Sequence, residues 1–238
     1  MPRTAKSGRL DFILRGWGYA SKKEIERLVK EKRVTVNGIS AEKTSIYINP
    51  SDSVKIDGEI LAPRPFIYYA MNKPKGFTCV NGDIRYPYVT SLIKDDAAVN
   101  TLFCVGRLDV DTEGLLIITN DGGLTNALIH PVKEIPKKYY VEYDKPLCEN
   151  AQEKAKIGLC HTDGTSYKPA EIEILSEYSA YITVSEGKYH EVKRIIGALQ
   201  SKVTYLKRLS IGNLSLSADL EPGEYRLLTD DETDILYD

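Results

Sequence analysis

The sequence contains no apolar stretch long enough to cross a membrane, and its first residues, MPRTAKSGRL, do not form an apolar signal segment. It also has almost no net charge, because 32 Lys and Arg residues are balanced by 34 Asp and Glu residues. These absences predict a cytosolic (cytoplasmic) protein without a membrane partner. At 238 residues, 42% of them hydrophobic, the chain can form one medium-sized domain and a small one.

Cysteine is scarce, with four residues and no Cys-x-x-Cys spacing: Cys79, Cys104, Cys148 and Cys160. His161 follows Cys160 directly, but two neighbouring ligands are too few for a zinc site. The sequence therefore predicts reduced thiols that mostly serve packing, and it indicates no metal site.

The small net charge hides an uneven distribution. Residues 1–43 carry eleven Lys and Arg against five Asp and Glu, and residues 186–208 carry six against two. Residues 219–238 reverse the sign, with eight acids and a single arginine. Because the field near a basic patch dominates within a Debye length of about 8 Å, local patches can bind nucleic acid in a protein without overall basic charge.

Residues 1–61 have the pattern of a separate unit. The apolar positions of Leu10–Leu14 predict a short helix, and Ser21 followed by Glu24 predicts the capped start of a second helix. The strands predicted after this helix are residues 34–36, 45–48, 54–56 and 59–61.

The second helix carries a basic face that includes Lys30. An amphipathic helix commonly turns such a face to solvent, so the charges alone do not indicate a ligand. The whole helical and hairpin pattern, however, resembles the S4 RNA-binding domain, which occurs in a ribosomal protein and in many RNA-modifying enzymes. That resemblance implies contacts with RNA phosphates at and near a helix N-terminus. The implied contact residues are Arg9, Ser21, Lys22, Lys23 and Arg27.

The most informative segment is GRLDVDTEGLLIITNDG, residues 106–122. Apolar runs flank it, so Arg107 and Asp109 lie where two core strands would emerge. If Arg107–Asp109 is extended, both charged side chains lie on one face, since side chains alternate along a strand. Such a carboxylate could act as a nucleophile or base. The same residues could also form a hairpin turn with a purely structural role.

This segment resembles the central motif of the pseudouridine synthases of the RsuA/RluB/RluE/RluF type, which isomerise uridine in ribosomal RNA. The match runs through the turn and the following TNDG. In that family the Asp after Gly-Arg-Leu is the catalytic nucleophile, which corresponds to Asp109. Asp111 is the competing carboxylate, and the family pattern disfavours it.

Two further segments match motifs of this family. NKPKG, residues 72–76, is by itself only a basic turn, but the resemblance implies a loop near the RNA backbone, with Lys73 and Lys75 as RNA contacts. Tyr139 in KKYYVEY could be a buried strand aromatic, and it is one of 16 tyrosines. The resemblance implies that Tyr139 stacks on the target base and takes part in proton chemistry at the pyrimidine carbon.

The segment EGKYHEVKR, residues 186–194, resembles the third family motif. Lys193 could be a surface lysine of a helix, but the family pairs this position with the catalytic carboxylate. His190 is expected to contact RNA or to pack, rather than to catalyse, and Arg194 is also assigned to RNA binding. Arg107 is expected to fill the space of an extruded base or to bind a phosphate.

The rest of the sequence is rich in strands. Strands are predicted at residues 67–71, 77–80, 138–143, 170–175, 180–184, 203–206, 209–216 and 225–228, and helices at 121–130, 149–157 and 190–200. This order predicts an α+β fold in which a mostly antiparallel, mixed sheet is flanked by helices. Two prolines within residues 62–65 predict a linker. The predicted domains are an S4-type RNA-binding domain at 1–61, a linker at 62–66 and a catalytic domain at 67–238.

The resemblance covers the chain from Arg9 to about Leu228 and implies a pseudouridine synthase that needs neither a metal nor an organic cofactor. EGKYHEVKR, with its lysine at position 193, and SADLEPGEYRLLT are most similar to the enzymes of small-subunit (16S) rRNA. The expected partner is therefore small-subunit rRNA or an assembly intermediate, bound by a monomer. A large-subunit rRNA synthase is the alternative with the same chemistry. A noncatalytic rRNA-binding assembly factor is the alternative from another class.

Overall fold

The computed structural model describes residues 7–49, 51–61, 66–80, 82–94, 101–129, 131–161 and 164–236. It has the α+β architecture that the sequence predicts, with a large mixed sheet and helices packed against it. The predicted linker lies outside the described residues except for Phe66. No helix in these ranges is long and apolar enough to cross a bilayer.

The N-terminal region, up to Leu61, combines two helices with short strands. Its elements in chain order are β1 (Gly8–Arg9), α1 (Leu10–Gly16), α2 (Lys22–Lys30), β2 (Val34–Val36), β3 (Ile39–Ser40), β4 (Tyr47–Ile48), β5 (Val54–Ile56) and β6 (Glu59–Ile60). Four strands form a sheet in the order β3-β2-β5-β6, and β1 pairs with β4. Ser21 caps α2 as predicted, because its hydroxyl accepts a hydrogen bond from the Glu24 amide at 3.3 Å.

The C-terminal region, from Phe66 onward, holds the large sheet and four helices within the part of the chain that is described. Its elements are β7 (Tyr68–Lys73), β8 (Phe103–Val105), β9 (Glu113–Thr119), α3 (Gly122–Ile129), β10 (Lys137–Tyr143), α4 (Ala151–Ile157), β11 (Leu159–Cys160), β12 (Ser166–Tyr167), β13 (Glu171–Ser176), β14 (Ser179–Val184), α5 (Glu191–Ala198), β15 (Val203–Ile211), β16 (Leu214–Ser215), β17 (Tyr225–Leu227) and α6 (Asp230–Ile235).

The large sheet has the strand order β13-β14-β10-β15-β9-β7-β17, with β16 beside β15 and β8 beside β9. Its pairings are antiparallel except that of β15 with β9, which is parallel. The prediction of a mostly antiparallel mixed sheet is confirmed. The β15–β9 pairing divides the sheet into two halves, one containing β9 and the other containing β10.

The pairing between these halves is short and depends on Gly114. It aligns Lys207 with Glu113, and Arg208 with Gly114. Gly114 has a φ of +107°, and a Cβ at this position would overlap the backbone of Arg208. A residue with a side chain would therefore push β15 away from β9.

Several local predictions differ from the structure. Residues 203–211 form the continuous strand β15, whereas the sequence predicts two strands, at 203–206 and 209–216. Residues 107–109 lie in a loop rather than in an extended strand. Residues 77–80 contribute only an isolated bridge at Thr78, and α6 has no counterpart in the prediction.

The N-terminal and C-terminal regions share a hydrophobic cluster. Leu10 of α1 belongs to the same buried cluster as Tyr68 of β7 and Ile117 of β9. The Asn120 side-chain amide also donates to the Gly16 carbonyl at 2.8 Å. A second cluster lies between the β10 half of the sheet and the helices α4 and α5. The two predicted domains therefore pack directly against each other, while their boundaries stay a prediction.

The variant Gly16→Ala tests this packing. An added Cβ would lie 2.6 Å from Phe66 Cε1 and 2.9 Å from the Asn120 carbonyl oxygen, so we expect a loss of about 1–3 kcal/mol in the free energy of unfolding. The control is Gly197→Ala in α5, whose Cβ would meet nothing within 4 Å. There the better helix propensity of alanine should add about 0.5–1 kcal/mol. Denaturant unfolding measures both values, and equal effects would contradict the close approach at Gly16.

Candidate active site

A cavity of about 910 Å³ is lined by residues from both halves of the large sheet. Its walls come from the loop between β8 and β9, from β10 and β15, and from the segment that leads into α5. Residues 106–112 of the first segment are called the Asp109 loop here. The cavity brings together five residues that the sequence singles out: Arg107, Asp109, Tyr139, His190 and Lys193.

Lys73 fixes the Asp109 loop to the end of β7. Its side chain is fully buried, and its ammonium group donates to the carbonyl oxygens of Asp109 at 3.1 Å, Thr112 at 2.9 Å and Pro74 at 3.0 Å. Burial lowers the pKa of Lys73 below its ordinary value. The predicted RNA contact of Lys73 is wrong, because an ammonium group enclosed by three carbonyls cannot reach a phosphate.

The Asp109 carboxylate lies beside two basic side chains. Its Oδ2 is 2.8 Å from Lys193 Nζ, and its Oδ1 is 3.4 Å from His190 Nε2. The Asp109 side chain is 29% exposed, so it is held in place and still reaches the cavity. Lys193 also lies 2.6 Å from Asp111 Oδ1, but the Asp111 side chain is 70% exposed. The contact between Lys193 and the Asp after Gly-Arg-Leu, which the resemblance implies, is present.

Lys193 remains a cation in this setting. Burial lowers the pKa of Lys193, but its hydrogen bonds with Asp109 and Asp111 outweigh burial and raise it above the ordinary value. Burial likewise raises the pKa of Asp111, and the hydrogen bond from Lys193 outweighs this effect and lowers it. A protonated lysine beside a carboxylate favours the charged form that nucleophilic or basic catalysis requires.

The start of α5 places both basic side chains. His190 is the N-cap residue with a φ of +53°, and its ring stacks on Tyr189 with 3.7 Å between the centroids. The Glu191 carboxylate accepts a hydrogen bond from the Gly187 amide at 2.7 Å, which closes the turn ahead of the helix. His190 and Lys193 are three residues apart, a spacing that puts side chains on the same side of a helix.

Tyr139 lies on the buried face of β10. Alternate residues of this strand, from Lys137 to Tyr143, are buried, as expected for a strand with one face against the core. Tyr139 itself is 8% exposed and lines the cavity. It is therefore both a buried strand aromatic and a residue with access to the Asp109 loop.

Two predicted RNA contacts lie outside the lining of the cavity. Lys75 is exposed, with its Nζ 4.5 Å from the centre of the Tyr205 ring. Arg194 donates to the Tyr167 hydroxyl at 3.3 Å. Neither arrangement tests RNA binding, which stays a prediction for both residues.

The predicted contacts of the N-terminal region lie on its surface. Arg9 donates two hydrogen bonds to Asp11, at 3.0 and 2.8 Å, and Arg27 pairs with Glu24 at 2.6 Å. The other predicted contacts, also exposed, are Ser21, Lys22 and Lys23. The Arg27–Glu24 pair is exposed and can exchange partners at little cost, so it leaves Arg27 available to an RNA phosphate. Asp11 is buried, so Arg9 is held more firmly by its two hydrogen bonds.

Sequence reasoning missed the position of one cysteine beside the Asp109 loop. The four cysteines are free thiols, and Cys79 Sγ lies 3.4 Å from the Leu108 amide, which donates to it. A hydrogen bond from the Cys104 thiol lowers the pKa of Cys79. The sequence gives no signal for this contact, because the two cysteines lie on distant segments. Among the described residues, no three His, Cys, Asp or Glu side chains are arranged to hold a metal ion.

Comparison with known proteins identifies the family. Residues 67–210 match the model of the RNA pseudouridylate synthases, and residues 8–54 match that of the S4 domain. The chain belongs to the RNA pseudouridylate synthase family. Both resemblances inferred from the sequence motifs are confirmed.

Relatives match this synthase over almost its whole length. It is 39% identical over 233 residues to the uncharacterized RNA pseudouridine synthase YtzG of Bacillus subtilis, covering 96% of this chain and 98% of the relative. It is 36% identical over 230 residues to ribosomal small subunit pseudouridine synthase A of Escherichia coli, covering 94% and 97%. A crystal structure of a pseudouridylate synthase, 35% identical, superposes with a TM-score of 0.71 and covers 97% of this chain and all of the other.

The variant Lys73→Met tests how the synthase holds its Asp109 loop. Methionine fills the space but removes the ammonium donor from three carbonyls, of which that of Asp109 keeps a hydrogen bond from the Thr112 amide. We therefore expect a loss of about 2–4 kcal/mol in the free energy of unfolding, together with a loss of activity. Lys75→Met, two residues away on the surface, is the control and should change stability by less than about 0.5 kcal/mol. Denaturant unfolding measures the loss in the free energy of unfolding for both variants. Similar losses would contradict this role of Lys73.

The pair of Lys193 with Asp111 predicts a pH-dependent stability difference between the wild type and Lys193→Met. The pKa of Asp111 is lowered in the folded state, so the pair stabilises the fold above the unfolded value of about 3.8, and this contribution is lost as the pH falls through the folded pKa. The pKa of Lys193 is raised, so its contribution is lost only as the pH rises above about 10.5. We expect the difference in melting temperature to be constant from pH 6 to 9 and to shrink towards pH 3. A difference that stays unchanged at pH 3 would assign the effect to packing alone.

Proposed function

We propose that this synthase converts a uridine of small-subunit ribosomal RNA to pseudouridine, with Asp109 acting on the sugar of the target nucleotide. The observation that carries the proposal is the contact of 2.8 Å between Asp109 Oδ2 and Lys193 Nζ at a cavity that Tyr139 also lines. Family membership supports the reaction, and the match to ribosomal small subunit pseudouridine synthase A supports the choice of RNA. A ribosomal RNA substrate also agrees with the predicted location in the cytoplasm.

The reaction requires a carboxylate at the sugar. The bond between C1′ and N1 of uridine must break, the uracil must turn, and a bond between C1′ and C5 must form. A carboxylate can attack C1′ and form a covalent intermediate, or it can remove a proton from C2′ so that a glycal forms. Both routes need a carboxylate that reaches the sugar, and Lys193 Nζ, 2.8 Å from Asp109 Oδ2, holds this carboxylate at the cavity.

The freed uracil must stay in the cavity while it turns. Tyr139 presents an aromatic ring from the wall of the cavity, and stacking on such a ring holds a base without depending on its orientation. A base within folded RNA must first leave its helix, at a cost of a few kcal/mol. Arg107 is exposed at the rim of the cavity, where it is placed to occupy the vacated position or to contact a phosphate.

The N-terminal region supplies a second place of contact with the RNA. The S4 match and the exposed basic groups of α2 support phosphate binding by this region. His190 adds a basic group beside the catalytic carboxylate, and Lys75 and Arg194 add others outside the cavity. A monomer with two separated contact regions is expected to require structured RNA rather than a short oligonucleotide.

The two competing interpretations are less well supported. A large-subunit rRNA synthase would have the same catalytic residues, so only the identity of the modified RNA separates it from the proposal. A noncatalytic assembly factor would have no need for Asp109, Lys193 and Tyr139 around one cavity.

The variants Asp109→Asn and Asp111→Asn test the assignment of the catalytic carboxylate. Both changes keep the size of the side chain and remove one charge beside Lys193. Asp109→Asn is expected to lower turnover by at least about 10⁴-fold, since it removes the group that acts on the sugar. Asp111→Asn is expected to lower it by less than about tenfold. The measurement is single-turnover conversion of uridine in small-subunit rRNA, and a fully active Asp109→Asn variant would overturn the assignment.

A further inference from the structure

The cavity contains an arginine that the proposed mechanism leaves without a role. Arg208 of β15 is 3% exposed and lines the cavity. Its Nε donates to the Leu115 carbonyl at 2.8 Å, but its Nη2 is buried without a hydrogen-bond partner among the described residues. A guanidinium group has five N–H donors, and leaving such a donor unpaired in the interior is costly. The Nη2 donor would be satisfied if a bound ligand placed a hydrogen-bond acceptor beside it.

The surrounding strands place this guanidinium beside the proposed base site. Arg208 is directly opposite Tyr139 in the β10–β15 ladder, and opposed residues of an antiparallel pair extend from the same face of the sheet. On its other side, Arg208 is aligned with Gly114 of β9, which follows the Asp109 loop. Arg208 is thus located between the tyrosine that would stack on the base and the loop that carries the carboxylate.

The groups around Arg208 make this part of the cavity favour an electron-rich ligand. Lys137, two residues before Tyr139 on the same face of β10, donates to the Ile135 carbonyl at 2.7 Å. Burial and the neighbouring Arg208 lower the pKa of Lys137. Glu191, a carboxyl group of the same lining, has its pKa raised by burial, which disfavours its charged form. No carboxylate of the described lining forms an ion pair with Arg208, and the neighbouring acidic group is the Cys79 thiol, whose pKa is lowered chiefly by a hydrogen bond from Cys104 and also by Arg208.

The proposed reaction generates an anion in this place. When the C1′–N1 bond breaks, its electron pair stays on N1, so the uracil leaves as an anion whose charge is shared by O2 and O4. The sugar is left bonded to the Asp109 carboxylate through C1′, or as a glycal after Asp109 has taken the C2′ proton. After the base turns, C5 bonds to C1′ as the ester bond from C1′ to Asp109 breaks and frees the carboxylate, or as C2′ of the glycal takes its proton back from Asp109. The C5 proton is then lost to a base, and N1 regains a proton. Donors fixed in advance at the anion lower the barrier for the first step.

We infer that Arg208 donates through Nη2 to a carbonyl oxygen of the target uracil and stabilises the uracil anion after the glycosidic bond breaks. The inference rests on the proposed function and adds a residue to it. Arg208 is then a catalytic residue, because it touches the reacting base, and its bond to Leu115 keeps the guanidinium aligned.

The experiment compares two substrates that differ in the stability of the leaving base. One is the small-subunit rRNA fragment with uridine at the target position, and the other carries 5-fluorouridine there, whose fluorine stabilises the base anion by induction. For Arg208→Met we expect a fall of about 10²–10³-fold in the rate constant for loss of the uridine, with KM little changed. We expect a loss at least tenfold smaller with 5-fluorouridine, because this base depends less on the guanidinium. Equal losses with the two substrates would show a purely structural role and overturn the inference.

The control is Lys207→Met, the preceding residue of β15, whose side chain extends from the opposite face of the sheet. Lys207→Met should lower the rate constants for the two substrates by the same small factor. Arg208→Lys keeps the charge and loses the planar arrangement of donors. Its rate constant with the uridine substrate should therefore lie between those of the wild type and Arg208→Met.

A measurement on the wild type keeps the inference testable if the Arg208 variants do not fold. The ¹⁹F resonance of free 5-fluorouracil, titrated with pH in the presence of the enzyme, reports the pKa of the bound base. We expect this pKa to be at least one unit lower in the complex than in solution. An unchanged or raised pKa, or no saturable binding, would overturn the inference. Failure of the proposed function would look different, because the wild type would then convert neither substrate.

Discussion

The short parallel pairing of β9 with β15 is the contact on which the active site depends. The Asp109 loop belongs to the β9 half of the sheet, whereas Tyr139 and Lys193 belong to the β10 half and to the helix packed on it. The two halves approach closely because Gly114 lacks a side chain where it meets the Arg208 backbone. A carboxylate from one half and a lysine from the other can therefore meet at 2.8 Å.

Two lysines act on Asp109 in different ways. Lys73 is buried and holds the loop through backbone carbonyls, so it fixes the position of the carboxylate without pairing with its charge. Lys193 reaches the carboxylate directly and remains protonated because Asp109 and Asp111 outweigh its burial. One lysine thus holds the backbone of the Asp109 loop, and the other contacts the carboxylate that is proposed to be catalytic. A change at either lysine should impair the reaction for a different physical reason.

The sequence predicts the central residues of the site because they lie in contiguous motifs. Asp109, Tyr139 and Lys193 each follow a recognisable local pattern, and the strand alternation around Tyr139 is visible in KKYYVEY. Contacts between distant segments are not visible in this way. The burial of Lys73 follows from three carbonyls contributed partly by a loop 36 residues later, and a lysine in a basic turn is ordinarily exposed. Arg208 is similar, since an arginine is ordinarily exposed, whereas the neighbouring strand β9 supplies the Leu115 carbonyl that accepts a hydrogen bond from it in the interior.

The most direct test of this account is a map of pseudouridines in both ribosomal RNAs from cells with and without the gene, complemented by the wild type or by Asp109→Asn. The account predicts that at least one pseudouridine of small-subunit rRNA disappears without the gene, returns with the wild type and does not return with Asp109→Asn. Loss of a pseudouridine only from large-subunit rRNA would contradict the assigned substrate. Return of the modification with Asp109→Asn would contradict the role of this carboxylate.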